Sequence, residues 1–492
     1  AQCLCAHADK ESRGGRLMKH GDRMLAVNPY LPSWEYVPDG EPHVYDGRVY
    51  VYGSHDWFDG CVYCPGDYVG WSAPEDDLGN WRYEGVIYEK TQDPLNRDGS
   101  ACLYAPDVTE GPDGRYYLYY VLDHFDVVSV AVSDTPAGKF QFYGYVHYPD
   151  GTKLGHREGD EPQFDPGVLT EGDRTYLYTG FCGFHDKTRH GAMCTVLGPD
   201  MLTVVEAPVF IAPGMCYADG TDFAHHAFFE APSIRKIGSV YYFVYSSEVM
   251  YELCYATSSS PTGGFRYRGV LSANNDLHID SYKPAERPMY YGANNHGGLV
   301  RADGKWFIFY HRHTNGSSFS RQGCMEQLHM AEDGSFRQAE MTSCCGLAPL
   351  PAEGEYPAYI ACSLFSKEES IYTDLGGGFM DCRFPKITQE ASVEKGESFI
   401  ANMHDGATAG YRYFDVHHVT GVSVSVRGYA NGWFELKLSP NGEALCRIPV
   451  HYTDIFTTFS ADCVIPDGIQ SIYLTYAGPG TAQLRSFAFR TA

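Results

Sequence analysis

One short phrase recurs along this chain and limits its fold more than any other feature: a turn on Gly or Asp, a polar residue, then alternating aromatic and aliphatic residues. It reads DGRVYVYG from Asp46, DGRYYLYY from Asp113, GDRTYLYT from Gly172, GSVYYFVYS from Gly238 and DGKWFIFYH from Asp303. The central positions Val51, Leu118, Leu177, Val244 and Ile308 fall 67, 59, 67 and 64 residues apart. Successive side chains of a strand point to opposite faces, so period-2 alternation bounded by turn residues marks strands. A second phrase falls between copies, from Ser72, Ser133 and Ser258, each a Pro/Gly turn followed by a short alternating run. Ordinary hairpins of a sandwich would give such phrases singly, but not at a near-constant spacing. Five units of several strands each predict a five-bladed β-propeller over residues 27–350, in which radial repetition of small sheets buries their faces and protects their edges.

The phrase stops after Tyr359. Residues 360–492 carry fresh alternation in GVSVSVRGY, GWFELKLS, SIYLTYAG and QLRSFAFR, the pattern of a β-sandwich. Its expected role is carbohydrate binding or packing against the propeller. The chain therefore reads as all-β. Residues 1–26 have no apolar segment of the signal-peptide kind and read as a disordered leader, and no apolar run approaches the ~20 residues of a membrane span.

Charge narrows the partners. With 37 Lys+Arg against 62 Asp+Glu the net charge is −25, which repels nucleic acid and anionic membrane surfaces. A neutral partner fits, and 39 Tyr with 27 Phe supply flat rings on which sugars stack. The 16 cysteines are irregularly spaced; Cys61-x-x-Cys64 has no second pair to complete a zinc site, and Cys344-Cys345 is a poor basis for two bridges. Thiols without a framework predict a reducing, cytoplasmic bacterial location rather than secretion.

In a propeller the innermost strands meet at a central channel, so residues at equivalent blade positions converge. Ahead of the recurring phrases, which read as the innermost strands, stand Glu41 in GEPHV, Asp107 in LYAPDV, Asp165 in QFDPGV, Glu230 in FFEAPSI and His296 in NNHGGLV. Any one acid beside proline is an ordinary strand start. Four at one repeat phase crowd carboxylates into one channel and raise at least one pKa. Glycosidic hydrolysis needs that arrangement: one carboxyl group kept protonated for the leaving oxygen and one ionised to activate water.

In order and spacing, NPYLPSWEYVPDGEPHV, YAPDV, FDPGV, FEAPSI with YYFVYSS, and NHGGLV with YHRH resemble the successive blade motifs of glycoside hydrolase family 43 over residues 28–350. The resemblance implies a five-bladed propeller, hydrolysis with inversion and three essential acids: a base before the proline of blade one, a pKa-modulating Asp165 and a general acid Glu230. It implies that His55, Asp56, Asp107, His296 and Arg312 line the pocket. It also implies that His296 holds a central water or a structural calcium ion through water, with no cofactor required for the reaction. Where the family has Asp-Pro this chain has Glu41-Pro42, two residues after Asp39. By distance to the strand Glu41 is the expected base; Asp39 is the alternative, and an impaired base the third reading.

Trp57, Phe58, Trp71 and Phe228 are candidates for sugar stacking or for core packing. The runs His225-His226 and His311-Arg312-His313 do not chelate by themselves, since neighbours on a strand face opposite ways; one member of each is expected to face the channel. The expected function is an exo-acting hydrolase releasing terminal α-L-arabinofuranose or β-D-xylose from plant-cell-wall oligosaccharides. A carbohydrate-binding propeller without catalysis, or a galactose-specific hydrolase with an altered base, is the alternative.

Overall fold

A computed structural model describes residues 19–20, 23–367, 384–393 and 395–492. Five antiparallel sheets follow one another in the first three-quarters of the chain. Blade one comprises Glu41–Tyr45, Arg48–Tyr52, Tyr68–Pro74 and Arg82–Tyr88, and blade two Asp107–Glu110, Tyr116–Tyr120, Ser129–Ser133 and Gln141–Tyr145. Blade three comprises Gly167–Glu171, Arg174–Thr179, Gly191–Leu197 and Val204–Pro213. Blade four comprises Phe228–Ile237, Val240–Ser247, Glu252–Ser258 and Arg266–Ala273. Blade five has three strands, Leu299–Ala302, Lys305–Thr314 and Ser317–Leu328. The first strands of the blades pack against one another in cyclic order, the fifth against the first, so the ring closes.

The recurring phrase occupies the second strand of each blade, not the innermost one. Second strands are covered on both faces, as in the fully buried Tyr116–Tyr120, which is why both alternating sets are apolar or aromatic there. The innermost strands are the short segments just ahead, and the acids stand at their starts.

Closure is clasped by the segment before blade one. The Asn28 amide donates to the Met325 carbonyl at 2.9 Å and accepts from the Met325 N–H at 2.9 Å, and the Tyr30 N–H reaches the Gly323 carbonyl. Asn28 thus pairs with the outer strand of blade five as a backbone would, and Tyr30 packs with Val49, Phe309 and Met325 between the first and last blades.

Two six-stranded sheets form the C-terminal part of the fold. One contains Leu350–Pro351, Ser363–Phe365, Thr408–Val416, Gly432–Lys437, Cys446–Val450 and Gly468–Ala477. The other contains Gly354–Pro357, Lys386–Thr388, Phe399–Met403, Val419–Gly428, Thr453–Asp462 and Ala482–Thr491. The sandwich therefore begins near residue 350 rather than 360, because the Pro/Gly stretch supplies edge strands. One apolar core runs from Val244, Leu299 and Ile308 of the propeller to Ile400, Phe414 and Phe487 of the sandwich. At that seam Arg412 is buried against Asp276 at 2.9 Å and stacks on Tyr282 at 3.9 Å.

Of the expected leader, residues 1–18 lie outside the described residues, and Lys19–His20 pairs with Arg23–Met24. The described cysteines are all free thiols. Among the described residues no helix is long and apolar enough to cross a membrane.

Candidate active site

A cavity of about 660 Å³ opens where the blades converge, lined by Asp39, Asp165, Glu230, His296 and Arg321 together with a ring of aromatic side chains. Backbone geometry aims the acids. Asp39 (φ 58°) and Asp165 (φ 45°) each stand two residues ahead of an innermost strand in the left-handed region, where Asp is tolerated better than most residues. That kink turns the carboxyl groups out of the blade and into the channel. Glu230 sits between two register shifts on Phe228–Ile237, with Ala231 at φ 64°, a bulge of the kind that re-aims a side chain. The Ala231 N–H donates to Asp165 Oδ2 at 3.3 Å, so the bulge that turns Glu230 also ties it to Asp165.

The three acids are electrostatically unlike. Burial alone would raise the pKa of Asp39, but Arg321, whose Nη1 donates to Oδ1 at 3.0 Å, and His311 hold it well below the usual carboxylate range. Arg321 is itself gripped in two-pronged fashion by Asp56, Nε to Oδ2 at 2.8 Å and Nη2 to Oδ1 at 3.0 Å. His311 Nε2 bonds the Asn294 carbonyl at 2.7 Å, and its Nδ1 faces Asp39 Oδ1 at 3.2 Å. Glu230 makes no hydrogen bond to another described side chain; burial and the neighbouring Asp39 charge push its pKa up to about 8. Burial, with repulsion from Glu230 and Asp39, likewise drives Asp165 upward. His296 Nδ1 lies 3.7 Å from Asp165 Oδ2 and 4.0 Å from Asp39 Oδ1, but burial lowers its pKa to about 4, so it is neutral and does not cancel their charge. One cavity thus holds an ionised carboxylate and a carboxyl group that keeps its proton at neutral pH, the separation that acid and base roles require.

Several expected residues lie elsewhere. Glu41 does not line the cavity. It is the first residue of its strand, in register with Tyr52, and its side chain points to the channel floor. There it accepts from Arg235 Nη2 at 2.8 Å and Ser233 Oγ at 3.1 Å. Asp39, not Glu41, has the same offset from its strand as Asp165. Counting back from the recurring phrase missed this, because a Cβ-bearing strand residue and the kinked residue ahead of it face different spaces. A Cβ on Gly298 would stand 2.4 Å from Glu41 Oε2, so the glycine of NHGG makes room for that carboxylate.

Asp107 is also turned to the floor: it accepts from the Val168 N–H at 2.8 Å and contacts His43 Nε2 at 2.7 Å, pinning blades one, two and three. Tyr104 and Ala105 of its LYAPDV motif line the cavity instead. Asp56 acts through Arg321. His55 contacts Glu35 and the Asp67 carbonyl. Arg312 faces away, donating to the Tyr359 and Ala361 carbonyls at 2.7 Å each; it joins blade five to the sandwich. His311 and His313, on the other face of that strand, look toward the channel as alternation demands. In the second run neither histidine does: His225 is exposed and His226 pairs with Glu252.

None of the stacking candidates lines the cavity. Trp57 is exposed, Phe228 and Trp71 are core residues, and Phe58 packs on Tyr36. The rings that line the cavity are Tyr63, Tyr104, Phe164, Phe181, Phe184, Phe229 and Phe319. Phe229 stacks on Phe184 with centroids 5.2 Å apart, and Phe181 and Phe184 are more than one-third exposed at the rim. The FF doublet before Glu230 was a usable signal, since only one member can face inward; Arg321 was not, because its place follows from its register opposite His313.

Calcium prefers an all-oxygen cage. Among the described residues the groups of three donors close enough to hold an ion are Glu41–His43–Asp107 and His226–Glu252–Cys254; His296 belongs to neither. The side chains around His296 do not fit a directly coordinated ion.

Comparison with known proteins agrees with this geometry. The profile of glycosyl hydrolases family 43 matches residues 36–336, more than half of the chain. A xylosidase/arabinosidase of Thermoclostridium stercorarium is 66% identical over 95% of this chain and 100% of its own length. One from Bacteroides ovatus is 29% identical over 58% of this chain and 89% of its own length. A family 43 beta-xylosidase/alpha-arabinofuranosidase from a compost metagenome, solved with xylotriose, superposes with a TM-score of 0.50 at 26% identity, over 64% of this chain and 97% of that one. An arabinoxylan arabinofuranohydrolase from Bacillus subtilis has the same fold over 95% of this chain and 99% of its own, with a TM-score of 0.51 and 19% identity. This chain belongs to glycosyl hydrolase family 43.

Proposed function

We propose that this protein is an inverting exo-glycosidase that releases terminal β-D-xylose or α-L-arabinofuranose from plant-cell-wall oligosaccharides. The observation that carries the reading is the single cavity in which Asp39 is held ionised while Glu230 is held protonated, with Asp165 beside them. Glu230 gives its proton to the glycosidic oxygen as the bond to the anomeric carbon breaks. Asp39 takes a proton from water, which attacks that carbon from the opposite face, so the sugar leaves with inverted configuration. Asp165, bonded to the Ala231 N–H, orients the turn that carries Glu230. The acids recover by exchanging protons with solvent.

Glu41, Arg235, His43 and Asp107 join the innermost strands of blades one, two and four outside the cavity lining, which supports a pocket that accepts a chain terminus. The Phe184–Phe229 pair at the rim offers a face to the next sugar. Relatives named xylosidase/arabinosidase support the pentose specificity. The non-catalytic alternative rested on the departure at Glu41, and Asp39 in the cavity removes its motive. The test is hydrolysis of xylobiose and arabinofuranosyl-xylo-oligosaccharides followed by NMR of the freshly released sugar. Inverted pentose is expected; a retained anomer, or binding without release, would overturn the reading.

A further inference from the structure

A second cluster of reactive side chains lies on blade four, outside the catalytic cavity. His226 Nδ1 is 3.0 Å from Glu252 Oε2, Cys254 Sγ is 3.6 Å from the same oxygen, and Sγ and Nδ1 are 3.9 Å apart. His278 Nε2 stands 3.1 Å from the other Glu252 oxygen. We propose that His226, Glu252 and Cys254, with His278 or water as fourth ligand, form a site for a zinc-type divalent transition metal.

The argument is geometric and chemical. Donors at about 2.0–2.3 Å from a tetrahedral ion are separated by roughly 3.3–3.8 Å, and the triangle of Nδ1, carboxylate oxygen and Sγ has edges close to that already. A set of imidazole, thiol and carboxylate suits zinc and is a poor cage for calcium or magnesium. The supporting shell is built: Tyr267 stacks on the His226 ring with centroids 4.7 Å apart and planes 12° apart, and Ser247 Oγ donates to Glu252 Oε2 at 2.9 Å. Cys254 and Glu252 are buried, whereas His226 is part-exposed and His278 half-exposed, which leaves an entry path from solvent. On binding, the Cys254 thiol releases its proton to solvent and the thiolate takes the metal.

The position gives the ion a consequence. Glu252 opens its strand two residues after Met250, which lines the catalytic cavity, and His226 lies four residues before Glu230. The metal therefore ties the Ser247–Met250 turn to the segment that leads into the bulge of the acid.

The test is to strip the full chain with EDTA, remove the chelator, add zinc or cobalt(II) and measure bound metal per chain and the melting temperature. The expected result is one equivalent in the wild type with a raised Tm, and a thiolate-to-cobalt charge-transfer absorption. Cys254→Ser should lose that absorption and bind zinc at least about tenfold more weakly, and Glu252→Gln should also weaken binding. Should either variant fail to fold, the cobalt spectrum of the wild type decides alone: cobalt bound without thiolate absorption, or no stoichiometric metal, refutes the site. Equal binding by wild type and Cys254→Ser assigns the metal to other thiols and refutes it as well.

Discussion

Asp39 and Glu41 stand two residues apart, yet their conservative replacements should fail in opposite ways. Asp39→Asn keeps the side chain's shape in the cavity and removes its ability to take a proton from water. General-base catalysis contributes about 10²–10⁴-fold, equivalent to about 3–5 kcal/mol of barrier. The fold should tolerate the change, because Arg321 keeps its two-pronged contact with Asp56 at 2.8 and 3.0 Å. Glu41→Gln touches no cavity wall but takes from Arg235 an acid whose pKa burial pushes up to about 8, leaving Arg235 the Leu299, Ile234 and Pro42 carbonyls and, at 3.5 Å, His43 Nε2. Because that carboxyl is mostly protonated at neutral pH, the replacement disturbs buried hydrogen bonds and costs about 1–3 kcal/mol. A chain of 492 residues melts with an entropy of about 1 kcal/mol per K, so the melting temperature should fall by about 1–3 °C. The assay pairs kcat/KM on xylobiose, measured well below both midpoints, with scanning calorimetry. A hundredfold loss of turnover in Glu41→Gln alongside near-normal turnover in Asp39→Asn would refute the assignment of the base.

The pH profile of kcat/KM on unactivated substrate should fall as pH rises through about 8, where Glu230 loses its proton, and should hold far into acid, since Asp39 stays ionised there; an alkaline limb below pH 6 would contradict this. Glu230→Gln should abolish turnover of xylobiose while sparing part of the activity on aryl pentosides whose leaving group needs no proton, measured as the ratio of the two rates. Phe184→Ala removes a rim ring worth about 0.5–1.5 kcal/mol, so kcat/KM should drop about 2–10-fold on oligosaccharides and less on aryl pentosides. Arg412→Met leaves Asp276 buried without its ion partner and should cost about 3–5 kcal/mol in calorimetry, partly restored by pairing it with Asp276→Leu.

The five-fold repeat, the all-β class and the presence of Asp165, Glu230 and His296 at the hollow were legible because strand alternation and repeat spacing are local properties of the chain. The phase of the repeat was less so: the aromatic phrase was read as the innermost strand, whereas full burial on both faces belongs to the second. That displacement carried Glu41 and Asp107 into the expected pocket, although both turn to the channel floor. Phe228 was preferred to Phe229 for want of the bulge at Ala231, which sets the facing of that doublet.

Alternation and turn residues, which act over a few positions, were enough to specify the blades, their order and the acids' general neighbourhood. The division of labour among the acids arose only when distant segments met. Asp39 is ionised because Arg321, 282 positions away, reaches it at 3.0 Å, and Glu230 keeps its proton because burial and the Asp39 charge act on it together. A pKa is set by every charge and every lost water within a few ångströms, and that neighbourhood exists only once the ring has closed.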